Sequence, residues 1–171
     1  IARQHGNRPI YVLSAIGVAA RNLGYSDNTS IHRFIGYRDE EDTVDEIVHR
    51  LGKDPERLAR IRQDNLLVLV DEISTASAEL IELFQSVTQQ VRKSEAPWGG
   101  IQIGLFGDFG QEPPVDNGQR HVRYAFQSPV WNFITEKTFV LEGRPYRCQD
   151  LRLQKIVSEI RSDNFSPESI R

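Results

Sequence analysis

Asp71 and Glu72 are adjacent carboxylates that directly follow the apolar run at residues 66–70. Five apolar, mostly β-forming residues predict a strand buried on both faces, with the two acids at its carboxyl end. Ligands of open α/β sheets bind outside that end. Two acids placed there could hold Mg²⁺ and activate a water molecule against a nucleoside triphosphate. The alternative is a strand that simply stops where charge begins, and the acid pair alone does not decide between the two.

Two further predicted strands also end in residues suited to polar chemistry. A strand at residues 10–13 is followed by mostly small residues at 14–17, and a strand at residues 101–106 is followed by Asp108 and Gln111. In a parallel sheet all three strand ends lie along one edge, where a phosphate chain and a polar substrate could meet. The repeated placement favours a nucleotide site over a chance arrangement.

Helical segments separate these strands and must hold them in position. Small residues at 18–20 predict one helix and residues 42–51 another, and Asp54 before a proline predicts the start of a third, through Ile61. Ser77 predicts the N-cap of a longer helix that ends before the Pro-Trp-Gly-Gly break at 97–100. Its apolar stripe consists of Leu80, Phe84, Val87 and Val91.

The last part of the chain repeats the alternation of strand and helix. Residues 137–141 predict a fourth strand, and Asp150 predicts the start of a helix. The residues of that helix expected to face inward are Leu153, Ile156, Val157 and Ile160. The whole pattern predicts an α/β fold with a mostly parallel sheet flanked by helices on both faces.

Composition limits the class of protein. With 171 residues, 39% hydrophobic and 26% charged, the sequence is typical of one soluble globular domain or a piece of one. A net charge of -3 argues against a generally basic nucleic-acid binder, although a local basic groove stays open. A single cysteine excludes a disulfide framework and a cysteine-rich zinc site, and favours a reducing compartment. No apolar stretch has membrane-spanning length, and no signal-peptide pattern is present.

The order of several motifs is similar to that of one helicase family. The sequence DEIS at residues 71–74 and GDFGQEPPV at residues 107–115 resemble motifs II and III of the Pif-type DNA helicases, relatives of RecD within helicase superfamily one. Five other segments match the same family in the same order. GVAA at 17–20 and SIHRF at 30–34 resemble motifs Ia and Ib, and PWGGIQ at 97–102 resembles the link into motif III. FQSPVW at 126–131 and YRCQD at 146–150 resemble the approach to motif IV. This co-linearity is more specific than any single motif.

The resemblance implies a RecA-like motor domain of the P-loop NTPase class, with ATP and Mg²⁺ as cofactors. Asp71 and Glu72 would form the metal site, and Glu72 would orient or deprotonate the attacking water. Asp108 and Gln111 would belong to the nucleotide site, with Gln111 sensing the γ-phosphate. Arg147 would neutralise charge on the transferred phosphate. The alternatives are a surface arginine at Arg147 and an ordinary loop residue at Gln111.

The resemblance also implies a path for single-stranded DNA. Backbone amides at Gly17 and Val18, together with His32 and Arg33, would contact phosphates, and Phe34 would offer a ring face to a base. A core position for Phe34 and a turn-capping role for His32 are equally open. The expected partners are single-stranded DNA, forked DNA and G-quadruplexes. The protein is expected to act as a monomer on DNA, and no membrane partner is expected.

Departures from the family pattern bear on activity. The family commonly has threonine at position 16, an aromatic at 110 and leucine at 112, where this sequence has Ile16, Gly110 and Glu112. No G-x-x-x-x-G-K-[ST] phosphate loop is present in the sequence, nor are the motifs of a second motor domain. Because the sequence also lacks methionine and begins inside a polar stretch, we expect it to be an excerpt of a longer protein.

Residues 1–161 are therefore interpreted as a partial first motor domain carrying motifs Ia, Ib, II, III and the start of IV, with residues 162–171 as a linker toward a second. The expected function is part of an ATP-dependent 5′-to-3′ DNA helicase that acts in DNA repair, recombination and telomere maintenance. The expected location is intracellular: nucleus or mitochondrion in a eukaryote, cytoplasm in a bacterium. The competing hypothesis is a degenerate, non-catalytic domain that binds nucleic acid or serves as a scaffold. A nucleotide switch unrelated to DNA would need motifs Ia and Ib to be accidental.

Overall fold

The computed structural model describes residues 8–15, 29–39, 41–114, 122–134, 137–141 and 148–166. The chain divides into two compact units, Ile1–Glu136 and Lys137–Arg171. The first unit contains the sheet and the candidate site. Within the described residues, no helix is both long and apolar enough to cross a membrane.

A four-stranded parallel sheet forms the centre of the first unit. Its strands are β1 (Ile10–Ser14), β2 (Thr29–Ser30), β3 (Leu67–Asp71) and β4 (Gln102–Leu105), in the order β2-β1-β3-β4. Each neighbouring pair is parallel. This arrangement confirms the α/β class and the three strands predicted in this unit from apolar runs.

Burial along β3 differs from the prediction of a strand buried on both faces. Val68 and Val70 are fully buried, whereas Leu67 and Leu69 are only partly covered. The described helices of the first unit contribute apolar side chains to the core that contains Val68 and Val70. The other face of β3 is only partly covered by the described part of the chain, so burial alternates with the period of two expected for one buried face.

Four α-helices lie in the described part of the first unit, and each begins at a polar capping residue. They are α1 (Ile31–Ile35), α2 (Val44–Gly52), α3 (Pro55–Arg62) and α4 (Ala78–Arg92). The side chains of Ser30, Thr43, Asp54 and Ser77 accept hydrogen bonds from backbone amides of the first turns. Such caps satisfy amides that have no partner within the helix. The helices predicted at 42–51, after Asp54 and after Ser77 are confirmed.

The aromatic centre of the core joins α4 to the elements on either side of it. Phe84 of α4 is fully buried, with its ring centroid 6.2 Å from that of Phe34 and 5.2 Å from that of Trp98. Leu80, Val87 and Val91 are buried on the same helix, as the predicted stripe requires. α4 begins a few residues after the turn that carries Asp71 and Glu72, so this packing holds the helix that follows that turn.

The second unit contains one described helix, α5 (Leu151–Ser162), capped by Asp150 as predicted. Two other predictions for this unit are wrong. Residues 137–141 form no strand, and Phe139 is 84% exposed, because no described strand pairs with them. None of the residues of α5 expected to face inward is buried: Leu153, Val157 and Ile160 are about half exposed and Ile156 is partly covered, since the described part of this unit supplies no surface that buries them. The expected linker at 162–171 starts in the last turn of α5, and residues 167–171 lie outside the described part.

Candidate active site

The carboxyl ends of the strands are aligned by the register of the sheet. Ser14 at the end of β1 pairs with Ser30 of β2 and with Asp71 of β3. Across the sheet, the Phe106 amide donates to the Val70 carbonyl at 2.8 Å. The residues that follow β1, β3 and β4 therefore leave the sheet at one common edge, as expected for a ligand site in this class of fold.

Asp71 and Glu72 are arranged by a sharp turn at the end of β3. Glu72 has a left-handed backbone with φ 55° and ψ 42°, which is uncommon for a residue with a side chain. Asp71 Oδ1 accepts from the Glu72 amide at 3.0 Å, and the Glu72 carbonyl accepts from the Thr75 hydroxyl at 2.8 Å. Within the described part of the chain, the Glu72 carboxylate has no hydrogen-bond or ion-pair partner, so it is available to a water molecule.

The turn after β3 contacts the loop after β4 through backbone atoms. The Ile73 amide donates to the Phe106 carbonyl at 3.0 Å. A Cβ atom on Gly107 would lie 2.9 Å from the Ile73 nitrogen and 3.2 Å from the Ser74 nitrogen. Glycine at 107 is thus required for the close approach, which brings motifs II and III together. The buried Ser74 hydroxyl beside this contact has no hydrogen-bond partner among the described residues.

Asp108 folds the loop that carries Gln111. Its carboxylate accepts from the Gly110 amide at 3.0 Å and from the Gln111 side-chain amide at 3.0 Å, and its carbonyl accepts from the Gln111 backbone amide at 3.0 Å. The Gln111 side chain is therefore held by Asp108 while remaining exposed. Asp108 acts here as the organiser of the loop. We call residues 107–111 the sensor loop.

The carboxylates at this edge of the sheet suit Mg²⁺ better than a metal ion that needs three or more protein ligands. No group of three or more histidine, cysteine, aspartate or glutamate side chains able to hold a metal occurs among the described residues. Mg²⁺ is commonly held by one or two carboxylates while it keeps several waters and contacts the substrate phosphates. The adjacent pair Asp71 and Glu72 fits that requirement.

The residues expected to contact DNA in motif Ib lie on α1 and differ in exposure. Phe34 is 4% exposed, with its ring centroid 5.7 Å from that of Tyr11. Its side chain therefore belongs to the core, which was the alternative prediction, and no ring face is presented to a base. His32 is half-buried with its ring 5.1 Å from Tyr37, and burial lowers the pKa of its imidazole. Arg33 is exposed, as a contact with a DNA phosphate requires.

Other predicted site residues fall outside the described part of the chain. These are Gly17 and Val18 of motif Ia, the neighbouring Ile16, and Arg147 near motif IV. Their roles stay predictions.

Sequence reasoning missed an aromatic cluster beside the sensor loop. Phe109 lies with its ring centroid 4.9 Å from that of Phe126 and 5.6 Å from that of Trp131, in edge-to-face geometry. All three residues stand within segments already matched to family motifs, but an exposed phenylalanine in a loop carries no periodic signal. Sequence spacing also does not show the close backbone approach at Gly107.

Comparison with known proteins identifies similar chains. A model of the PIF1-like helicase family matches residues 3–165. The ATP-dependent DNA helicase RRM3 of Saccharomyces cerevisiae is 32% identical over 159 residues, which are 92% of this chain and 21% of the relative. The chain thus spans about a fifth of the length of that relative.

Solved structures show the same fold. The crystal structure of Pif1 helicase from Candida albicans matches with a TM-score of 0.80 and 25% identity, over 94% of this chain and 35% of that one. Pif1 helicase from Bacteroides in complex with ADP-AlF3 and ssDNA matches with a TM-score of 0.70 and 21% identity, over 95% of this chain and 38% of that one. The second match, at this identity, supports the architecture alone.

Proposed function

Because the chain belongs to the PIF1-like helicase family, we propose that it forms most of the first motor domain of an ATP-dependent DNA helicase. The observation that supports this most is the juxtaposition of two strand-end loops. The half-buried Glu72 carboxylate has no partner in the described part of the chain. The turn that carries it is hydrogen-bonded, through the Ile73 amide, to the Phe106 carbonyl directly before the sensor loop. A base and a phosphate-sensing amide at one sheet edge are what hydrolysis of a triphosphate requires.

Each residue of this edge has a distinct role in the proposed reaction. Asp71 and Glu72 would hold the Mg²⁺ that neutralises charge on the β- and γ-phosphates. Glu72 would accept the proton of the attacking water at its carboxylate. Gln111, held by Asp108, would donate from its amide to the γ-phosphate or the water. Arg147 would stabilise the negative charge that develops on the transferred phosphoryl group.

The proposed macromolecular substrate is DNA, with single strands and forks as partners and G-quadruplexes as a further substrate of the unwinding activity. The relative RRM3 of Saccharomyces cerevisiae is an ATP-dependent DNA helicase, and the exposed Arg33 on α1 offers a guanidinium group for a backbone phosphate. Gly17 and Val18 would supply backbone amides to the same strand. The protein would move 5′ to 3′ as a monomer.

Unwinding by the intact protein tests this proposal. We would compare a duplex with a 5′ single-stranded tail and the same duplex with a 3′ tail, with Mg-ATP and with Mg-ADP. Strand separation only with Mg-ATP and only on the 5′-tailed substrate is expected. DNA binding without ATP-dependent unwinding of either substrate would contradict the proposal and favour a degenerate binding domain.

A further inference from the structure

The aromatic residues next to the sensor loop form a defined contact between two elements. We call Phe109, Phe126 and Trp131, with Tyr124 stacked on Phe126 at 5.2 Å, the sensor-loop aromatic cluster. Phe109 belongs to the sensor loop, whereas the other three lie in the segment 122–134. The hydrogen bonds made by Asp108 to Gly110 and Gln111 are internal to the loop. Phe109, in contrast, contacts a separate element.

The segment that receives Phe109 is fastened to the start of α4. The Ala78 amide donates to the Arg123 carbonyl at 2.9 Å, and Ser77 forms an antiparallel bridge with Tyr124. The Arg123 guanidinium lies 2.7 Å from Glu79 and 3.2 Å from Glu82 on the first turns of α4. Because α4 directly follows the turn that carries Glu72, this segment joins the helix behind motif II to the loop of motif III.

The sensor loop also needs an external support. Gly110 stands beside Gln111, and glycine loses more conformational freedom on ordering than any other residue. Gln111 itself is exposed. A packed aromatic side chain two residues before Gln111 restricts where the loop can lie, since edge-to-face pairs have a defined geometry.

We propose that Phe109 is a positioning residue: through Phe126 and Trp131 it fixes the position of Gln111 relative to the start of α4, and thereby holds Gln111 in place for hydrolysis. This inference rests on the proposed function. Phe109 touches neither reacting atoms nor DNA in this account. Its loss should loosen the geometry of hydrolysis while leaving the binding of each ligand alone nearly unchanged.

The experiment uses the intact protein with Phe109→Ala, the conservative Phe109→Tyr, and Phe126→Ala from the opposite side of the contact. Phe133→Ala is the matched control, because Phe133 lies in the same segment, is 57% exposed and is outside the cluster. We would measure ssDNA-stimulated kcat and the KM for ATP. We would also measure the Kd for labelled oligo-dT with and without AMP-PNP.

We expect Phe109→Ala and Phe126→Ala to lower kcat at least about fivefold with the KM for ATP within about twofold of wild type, since only an interaction needed for the chemical step is lost. The oligo-dT Kd should stay within about twofold of wild type both with and without AMP-PNP, because the aromatic contact is not a ligand contact. Phe109→Tyr and Phe133→Ala should match wild type. In the Phe109 and Phe126 double variant the two losses should not add, because the residues act as a pair.

Three results would overturn the inference alone. The first is wild-type kcat in Phe109→Ala. The second is an equal loss in Phe133→Ala. The third is weaker oligo-dT binding by the same factor with and without AMP-PNP, which would make the cluster a DNA contact. Absence of DNA-stimulated hydrolysis in the wild type would overturn the proposed function and this inference together. An active wild type whose kcat is unchanged by Phe109→Ala would overturn the inference alone.

Discussion

Glu72 adopts a left-handed backbone conformation directly after β3, and a residue with a side chain in that conformation costs on the order of 1–3 kcal/mol. Its carbonyl accepts from the Thr75 amide at 3.1 Å and from the Thr75 hydroxyl at 2.8 Å, and these bonds hold the turn. Strain of this kind is found where a side chain must be presented at a site. The carboxylate that we propose as the base is thus on the strained residue.

Gly107→Ala tests the backbone contact between motifs II and III. An added Cβ would lie 2.9 Å from the Ile73 nitrogen, a distance that forces the two loops apart. We expect DNA-stimulated ATP hydrolysis of the intact protein to fall about tenfold to a hundredfold, because displacements of about 1 Å have effects of that size. Gly52→Ala is the control, since a Cβ there meets nothing within 4 Å. Equal activities of the two variants would show that the loop contact is dispensable.

Asp42 should make the stability of the first unit depend on pH. The hydrogen bond from Arg50 holds the pKa of the Asp42 carboxyl well below its ordinary value of 3.8, and backbone amides of Arg38 and Asp39 add to this effect. A lowered pKa means that the stabilisation is present above pH 3.8 and is lost as the pH falls from there toward the folded-state pKa. Asp42→Asn should therefore be less stable than wild type at pH 6, with a difference that shrinks below about pH 4.

Urea unfolding at pH 6 and pH 3 measures this difference. Glu41→Gln is the control because its side chain is exposed beside the same turn. It should leave the pH dependence of the urea midpoint unchanged. A constant gap between wild type and Asp42→Asn at both pH values would exclude the pairing with Arg50 as the cause.

Two arginines connect the carboxyl-terminal ends of α3 and α4 through hydrogen bonds to backbone carbonyls. The Arg92 side chain donates to the carbonyls of Ile61 at 2.7 Å and Gln63 at 2.9 Å, beside the end of α3. The Arg62 side chain donates to the Val91 carbonyl at 3.0 Å, in the last turn of α4. Carbonyls at helix ends have no partner within the helix, and cations there also interact favourably with the helix dipole. These hydrogen bonds lie just before the amino-terminal end of β3, whereas the candidate site lies at its carboxyl end.

Gly99→Ala tests the turn that follows α4. Gly99 and Gly100 both have positive φ, of 62° and 80°, but a Cβ on Gly99 would lie 2.6 Å from the Thr88 carbonyl oxygen whereas one on Gly100 meets nothing within 4 Å. Gly100→Ala should cost about 1–2 kcal/mol for the left-handed backbone alone. Gly99→Ala should cost about 1–3 kcal/mol more, because backbone must also move. Urea unfolding monitored by fluorescence of the buried Trp98 compares the two, and equal midpoints would contradict the close contact.

Elements with local signals could be predicted from the sequence, and elements that depend on a partner could not. The starts of α2, α3, α4 and α5 follow from capping residues, whose hydrogen bonds lie within one turn. Residues 137–141 have the apolar character of a strand but no strand to pair with among the described residues. The apolar residues of α5 follow the helical period correctly, yet periodicity does not say whether a surface exists for them to cover.

The candidate site shows the same division. Asp71, Glu72 and Gln111 follow strand ends, so their shared edge could be predicted once the sheet was taken as parallel. Phe34 could not be assigned in advance, because an aromatic residue in a motif is equally suited to the core and to a base. Its ring contact with Phe84 of α4 joins positions 50 residues apart in sequence, a relation that no local pattern shows.

At the scale of the whole molecule, the sequence contains the second and third motifs of a nucleotide site without a phosphate loop. The 171 residues alone should therefore bind ATP poorly, because the backbone amides and lysine that hold the β- and γ-phosphates are absent. Weak binding of single-stranded DNA should persist, with a Kd of about 10⁻⁵ M or weaker, and it should weaken steeply with salt. Titration of labelled oligo-dT at two salt concentrations measures this; robust ATPase activity would contradict it.

ATP hydrolysis by the intact protein with Glu72→Gln tests whether this edge of the sheet is the active site. The amide cannot accept the proton of the attacking water, so we predict that kcat falls by on the order of 10² or more while the Kd for ATP stays within about threefold of wild type. Glu95→Gln, an exposed acid after α4, should hydrolyse ATP like wild type. Single-stranded DNA should stimulate the wild type and the control but not Glu72→Gln. Wild-type turnover in Glu72→Gln would contradict the assignment of this sheet edge as the active site.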